Sequence, residues 1–167
     1  MKNVYLIGFM GAGKSTIARG LCEEYGLKHM EMDEQIEKEE GMKISEIFEL
    51  KGEAYFREKE TKLLEYCTAF SDLVVSCGGG VPMRAENVLE MKKNGRVVWL
   101  NVSSETVYER VKNTHHRPLL EGNMNVSYIE ELLKKRRPKY EAAADVVVFT
   151  DGKSIQEICR EIIKKCR

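Results

Sequence analysis

Gly8-Phe9-Met10-Gly11-Ala12-Gly13-Lys14-Ser15-Thr16 is the stretch whose reading decides the fold. It fits G-x-x-x-x-G-K-[ST] at every fixed position. The apolar run Val4-Tyr5-Leu6-Ile7 before it reads as a buried strand. After it, Ile17, Ala18, Leu21, Cys22 and Tyr25 are spaced for one face of a helix. Strand, glycine loop and helix start in that order make an anion cradle, because glycines let backbone N–H groups turn inward where the helix dipole adds positive potential. Gly11 to Thr16 are therefore expected to surround a triphosphate, with Gly11, Ala12, Gly13 and Thr16 wrapping it. Lys14 reaches the β- and γ-phosphates, and the Ser15 hydroxyl suits a Mg²⁺. The plain alternative is a glycine turn between a strand and a helix.

Outward from this loop, four more short apolar runs read as buried strands: His29–Met32 (the weakest), Leu73–Val75, Val97–Leu100 and Val146–Phe149. Helical patterns lie between them, so the chain alternates as in a parallel α/β sheet with helices on both faces. The last helix is the clearest, with Ile155, Ile158, Cys159, Ile162, Ile163 and Cys166 on one face. With 167 residues the chain suits one domain with a single core. Its 27 basic and 27 acidic residues leave no charge excess to attract nucleic acid or a membrane surface. No apolar run approaches membrane-spanning length, and the N-terminus enters a strand without a signal peptide. The five cysteines are scattered and lack zinc-site spacing, and Cys22, Cys67 and Cys159 fall on apolar helix positions. A reducing, cytoplasmic setting is the expectation.

Two regions break the alternation. About forty residues separate the second and third strands, more than one crossover helix needs. Ile44, Ile47 and Phe48 mark a short helix ending near Gly52, and Phe56, Leu63, Leu64, Cys67 and Phe70 mark a longer one. They read as a helical subdomain beside the loop. The second region, Lys112 to Asn125, is polar and contains His115-His116-Arg117-Pro118, a composition that suits a mobile flap or a plain surface loop. After it, Ser127 and Glu130 are spaced as a capping box, and the apolar stripe Ile129, Leu132, Leu133 continues into Arg136. An arginine on such a stripe points inward and needs an anion, either an internal glutamate or a ligand.

Other candidates are individually ambiguous. Asp33 follows the second strand and serves either as a helix N-cap or to orient and deprotonate an acceptor hydroxyl. Glu31, on the same side of that strand, can hold a magnesium-bound water. Arg57 has Glu53 and Glu60 within helical reach for a surface ion pair. Gly78-Gly79-Gly80 either makes a tight turn or lets the backbone approach a ligand at a strand's carboxyl end.

Their order along the chain resembles the shikimate kinase family, and the likeness covers essentially the whole sequence. The features are the loop Gly8–Thr16, Asp33 after the second strand, Phe-Arg-x-x-Glu at 56–60, and the triple glycine 78–80. Arg117-Pro118-Leu119-Leu120, and Arg136 four residues before Tyr140, complete them. The resemblance implies a three-layer α/β/α fold of P-loop kinase type, with a five-stranded parallel sheet in the order 2-3-1-4-5. It implies one kinase domain over 1–167, with a substrate-binding helical insertion at about 33–62 and a mobile lid at about 112–125. The implied reaction moves the γ-phosphoryl group of ATP, as its Mg²⁺ complex, to the 3-hydroxyl of shikimate, on the route to chorismate and the aromatic amino acids. Asp33 then meets the acceptor hydroxyl, and Arg57 and Arg136 clamp the carboxylate. Gly78, Gly79 and Gly80 line the pocket, with Phe48, Phe56 and Pro118 as walls. Asp33, Lys14 and Arg117 become the catalytic set, Arg110 lies against adenine, and Ser15 and (through water) Glu31 meet the metal. The expected enzyme is a monomer with small-molecule partners only. One departure is visible: Glu31-Met32-Asp33 stands where the family carries Asp-x-Asp. The rival readings are a kinase of the same architecture for a sugar acid or a nucleoside monophosphate, and a non-catalytic ATP-binding module.

Overall fold

A computed structural model describes residues 1–112 and 125–167. Five parallel strands, β1 (Asn3–Ile7), β2 (Lys28–Glu31), β3 (Leu73–Ser76), β4 (Gly95–Asn101) and β5 (Val146–Phe149), form one sheet in the order β2-β3-β1-β4-β5. The central strand β1 is buried at all five positions, as expected when helices cover both faces. The expected sheet order is the one found.

Helix α1 (Lys14–Tyr25) follows the glycine loop, with Gly13 as N-cap in the left-handed conformation at φ 92°. Its inward face, Ile17, Ala18 and Leu21, is the stripe read from the sequence. Cys22, expected inside, is only half-buried. The long segment after β2 folds into α2 (Met32–Glu40), α3 (Ile44–Lys51) and α4 (Glu53–Cys67). α5 (Ala85–Asn94) precedes β4, α6 (Ser104–Val111) and α7 (Val126–Ala143) follow it, and α8 (Ile155–Cys166) comes last. Of its predicted apolar face Ile158, Cys159, Ile162 and Ile163 are buried, whereas Ile155 is exposed and Cys166 half-buried. All five cysteines are free.

Three local expectations need correction. β2 ends at Glu31 and not at Met32, because the Met32 side chain is fully buried and opens α2. Asp33 is thus in the first turn of α2, and Glu31 holds the N-cap position with no side-chain cap bond. Helix α7 starts one residue before Ser127: Asn125 is the N-cap, its side chain accepting from the Tyr128 amide at 2.8 Å. Asparagine caps at least as well as serine, so the earlier residue takes the role from the Ser127–Glu130 pair. Finally, α4 stops at Cys67, and Phe70 lies beyond it, exposed rather than in the core, with its ring edge-on to Tyr66.

Candidate active site

The phosphate loop leaves β1 at Gly8, whose φ of 151° and close approach to β4 both demand glycine: a Cβ here would lie 2.8 Å from the Leu100 carbonyl oxygen. The loop then turns back on itself, the Ala12 amide donating to the Phe9 carbonyl at 3.1 Å. Lys14 folds over this turn and donates from Nζ to the carbonyls of Gly8 at 2.7 Å and Phe9 at 3.1 Å. Next to it, the Ser15 hydroxyl donates to Glu31 Oε2 at 2.9 Å. The Arg110 guanidinium, on α6, donates to the Gly11 carbonyl at 2.8 Å and covers the loop's outer side.

One cavity of about 790 Å³ runs from this loop across the carboxyl ends of the strands. Its far end is built around the triple glycine. Three consecutive residues without a side chain admit three charged clusters. A Cβ at Gly78 would lie 2.8 Å from Glu60 Oε2 and 3.1 Å from Asp33 Oδ1. One at Gly79 would meet Arg136 Nη1 at 2.7 Å, and one at Gly80 would meet Arg57 Nη1 at 2.6 Å. The glycines therefore do more than turn the chain: they vacate the space where two arginines and two carboxylates converge.

Each of these groups is held from behind. Arg57 on α4 donates to Glu60 Oε1 at 2.7 Å and to Glu53 Oε1 at 3.2 Å, as the helix spacing requires. The pair is not the surface contact that the sequence suggested, because Glu60 is fully buried. Phe48 and Phe56, edge to face with ring centroids 5.1 Å apart, form a wall against the guanidinium. Arg136 on α7 lies over the Phe9 ring at 5.6 Å and reaches the Tyr140 hydroxyl at 3.5 Å. Among the described residues it forms no salt bridge, so the internal-glutamate alternative is not realised. The Tyr140 hydroxyl in turn donates to the Gly79 carbonyl at 2.9 Å, tying α7 to the glycine run. Asn87 fixes the other side of the turn, accepting from Thr61 at 2.7 Å and donating to the Val81 carbonyl at 2.9 Å. Cys77 lies beneath, wholly buried, its amide extending the sheet through the Leu6 carbonyl at 3.0 Å.

Electrostatics follow from this burial. Glu60 is pushed up to about 7, since loss of water outweighs the attraction of Arg57, and Asp33 adds repulsion. Burial also works against the charge of Arg57, but there the Glu60 and Glu53 carboxylates prevail and hold its proton more firmly. The Glu60 Oε2 atom is buried without a hydrogen-bond partner among the described residues. Burial raises the Tyr140 hydroxyl and the Cys77 thiol as well.

The cavity thus contains Gly11, Ala12, Gly13, Lys14, Ser15, Thr16, Glu31, Asp33, Phe48, Phe56, Arg57, Gly78–Gly80, Arg110 and Arg136. Arg117 and Pro118 fall outside the described residues. The sequence reading did not single out Glu60 as buried, nor Phe9 as the platform for Arg136. For Glu60 a signal existed: it continues the stripe Phe56, Leu63, Leu64 and Cys67 as Arg136 continues its own.

Comparison with known proteins agrees with this architecture. Residues 10–167 match the family model for shikimate kinase. The shikimate kinase of Persephonella marina is 47% identical over 167 residues, covering 100% of both chains. The chain belongs to the shikimate kinase family. A second shikimate kinase, from a Sulfurihydrogenibium species, is 46% identical and covers 100% of this chain and 99% of its own. The solved structure of Acinetobacter baumannii shikimate kinase in complex with shikimate superimposes with a TM-score of 0.92 at 35% identity, covering 98% of this chain and 92% of that one. As a member of the shikimate kinase family the chain is an ATP-dependent kinase, and the non-catalytic reading is set aside.

Proposed function

We propose that this kinase transfers the γ-phosphoryl group of ATP to the 3-hydroxyl of shikimate, with the donor on the Gly8–Thr16 loop and the acceptor over Gly78–Gly80. The observation that carries the reading is the pair of guanidiniums, Arg57 and Arg136, over adjacent glycines in the cavity that also holds the phosphate loop. Two planar cations from different helices suit one planar carboxylate, and Phe48 and Phe56 suit a six-membered carbon ring. Asp33, beside Gly78 in the cavity that holds both the arginines and the loop, supports this reading as the group that meets the acceptor hydroxyl.

The chemistry is largely positional. Phosphoryl transfer asks for in-line alignment and charge stabilisation more than for covalent help from the protein. The 3-hydroxyl oxygen attacks the γ-phosphorus, the bond to the β–γ bridging oxygen breaks, and ADP leaves with that electron pair. Asp33 accepts the hydroxyl proton as the new bond forms. Lys14 exchanges the Gly8 and Phe9 carbonyls for phosphate oxygens and spreads their charge. Arg57 and Arg136 fix the carboxylate far from the reacting atoms, which supplies orientation. Arg110 flanks the nucleotide. Roles for Arg117 on a lid, and for Pro118, rest on the family resemblance.

The donor set beside the loop fits Mg²⁺. Ser15 and Glu31 offer two hard oxygens 2.9 Å apart, and no cluster of three or more metal-ligating side chains exists among the described residues to hold a cation alone. A small cation held by one hydroxyl, phosphate oxygens and waters is the mode Mg²⁺ prefers. When bound it neutralises charge on the β- and γ-phosphates. Among the described residues no helix is long and apolar enough to cross a membrane. With five free cysteines, a monomeric enzyme in a reducing cytoplasm is the setting we assign.

The test is a coupled ADP-release assay over shikimate, quinate, gluconate and nucleoside monophosphates. Turnover with shikimate should exceed every other acceptor by orders of magnitude. A comparable rate with gluconate or a nucleotide would overturn the assignment.

A further inference from the structure

The departure at Glu31 has a structural counterpart. Along β2 the side chains of residues 29 and 31 share one face of the strand. The imidazole of His29 and the Glu31 carboxylate meet there, His29 Nε2 lying 2.8 Å from Glu31 Oε1. A carboxylate oxygen accepts only, so Nε2–H is the donor. The second oxygen, Oε2, takes the hydroxyl proton of Ser15 at 2.9 Å. The glutamate's additional methylene carries the carboxylate far enough from the strand for each oxygen to reach one partner. The relay lies at the exposed edge of the sheet, with Glu31 half-buried and His29 open to solvent along its backbone side, and what sets it apart is that the two Glu31 oxygens are each taken by a different partner.

We propose that His29 is a positioning residue for the cation site: it holds one oxygen of Glu31 so that the other orients the Ser15 hydroxyl. A serine that gives its proton to Glu31 presents its lone pairs the other way, which is what a metal ligand must do. His29 therefore acts through two hydrogen bonds on the direction of those lone pairs, and on the carboxylate that accepts from a metal-bound water. Outer partners of this kind tune cation affinity by fixing the inner groups, commonly by about 10–100-fold. The inference rests on the reading of Ser15 and Glu31 as the cation's contacts.

The experiment is a Mn²⁺ titration of the enzyme–ADP complex, followed by the paramagnetic resonance signal of free Mn²⁺. His29→Ala should weaken Mn²⁺ binding by about tenfold, with ADP affinity in the absence of metal and shikimate affinity unchanged. His29→Gln, which retains an N–H donor, should recover most of the loss. In a Glu31→Asp background the shorter side chain breaks the link, so His29→Ala should then change Mn²⁺ affinity by less than about twofold, a non-additive cycle. If Glu31→Gln weakens Mn²⁺ binding and His29→Ala does not, the positioning role falls while the cation site stands. If neither variant has an effect, the cation reading falls with it. An equal loss from His29→Ala in both backgrounds would show that His29 does not act through Glu31, and would likewise overturn the proposal.

Discussion

At the scale of single residues, the acceptor end of the cavity is a problem in charge held out of water. Glu60 is the sharpest case, with one oxygen on Arg57 and the other without a hydrogen-bond partner among the described residues. Its carboxyl is raised from 4.5 to about 7, so the folded chain binds that proton more tightly than the unfolded chain does. Stability contributed by this group is therefore present at low pH and falls as pH climbs from 4.5 through about 7. Glu60→Gln cannot titrate. Although it costs Arg57 a counter-ion, its stability relative to the unmodified enzyme should improve steadily across that window in denaturant melts. Parallel pH curves would show that Glu60 keeps an ordinary carboxyl. The arginines themselves make a second expectation. Arg57→Lys and Arg136→Lys keep the charge but lose the planar fork, so each should raise KM for shikimate roughly 30-fold or more, as losing a buried charge contact of about 2–5 kcal/mol implies. ATP affinity should stay nearly unchanged in both, and the enzyme should discriminate strongly against shikimate methyl ester. An ester that reacts as well as the acid would remove the carboxylate clamp.

At the scale of elements, the glycine run shows what a sequence can and cannot disclose. The triplet 78–80 is visible at once, but whether it turns or makes room depends on what other helices bring to it. In the fold the space is used: Arg136 from α7 and Arg57 from α4 occupy the positions where the Cβ atoms of residues 79 and 80 would stand. Gly79→Ala and Gly80→Ala should therefore leave the fold intact, since a guanidinium is the mobile end of a long side chain. Each should displace its own arginine and raise KM for shikimate about tenfold or more, in keeping with a misplaced binding group. Circular dichroism and ADP affinity should match the unmodified enzyme. A normal KM for Gly79→Ala would mean that Arg136 sits elsewhere when substrate is bound. Elements with a strong period (α1, α4 and α8) were readable because burial enforces 3.6-residue spacing. Their ends were less so: Asn125 competes with Ser127 for the same orphan amides, and in the structure Asn125 takes the Tyr128 amide. Glu60 went unread as a buried group because Arg57, three residues before it, offered a sufficient surface ion-pair explanation.

At the scale of the whole molecule, sheet order decides which distant residues become neighbours. The placement of β3 between β1 and β2 sets Gly78–Gly80 beside the phosphate loop, although some sixty residues of chain separate them. Alternating apolar runs were enough to indicate a parallel sheet, whereas that order came with the family likeness and not from periodicity. The same placement puts Cys77 under the floor of the cavity, continuous with the sheet through its bond to Leu6 and with its thiol far from its ordinary ionisation. A sulfur so enclosed can meet an aqueous disulfide reagent only when the strand ends part, which makes its labelling rate a clock for opening of the cleft. Shikimate, by favouring the closed state, should slow that clock in proportion to its occupancy. Half-buried Cys22 and Cys166 are slowed by burial, which raises both thiols, Cys166 to about 11, but they should still react faster than Cys77 and at a rate the substrate does not change. Mass-resolved labelling of the unmodified enzyme, with no engineered probe, would thus report how often the acceptor site breathes between turnovers.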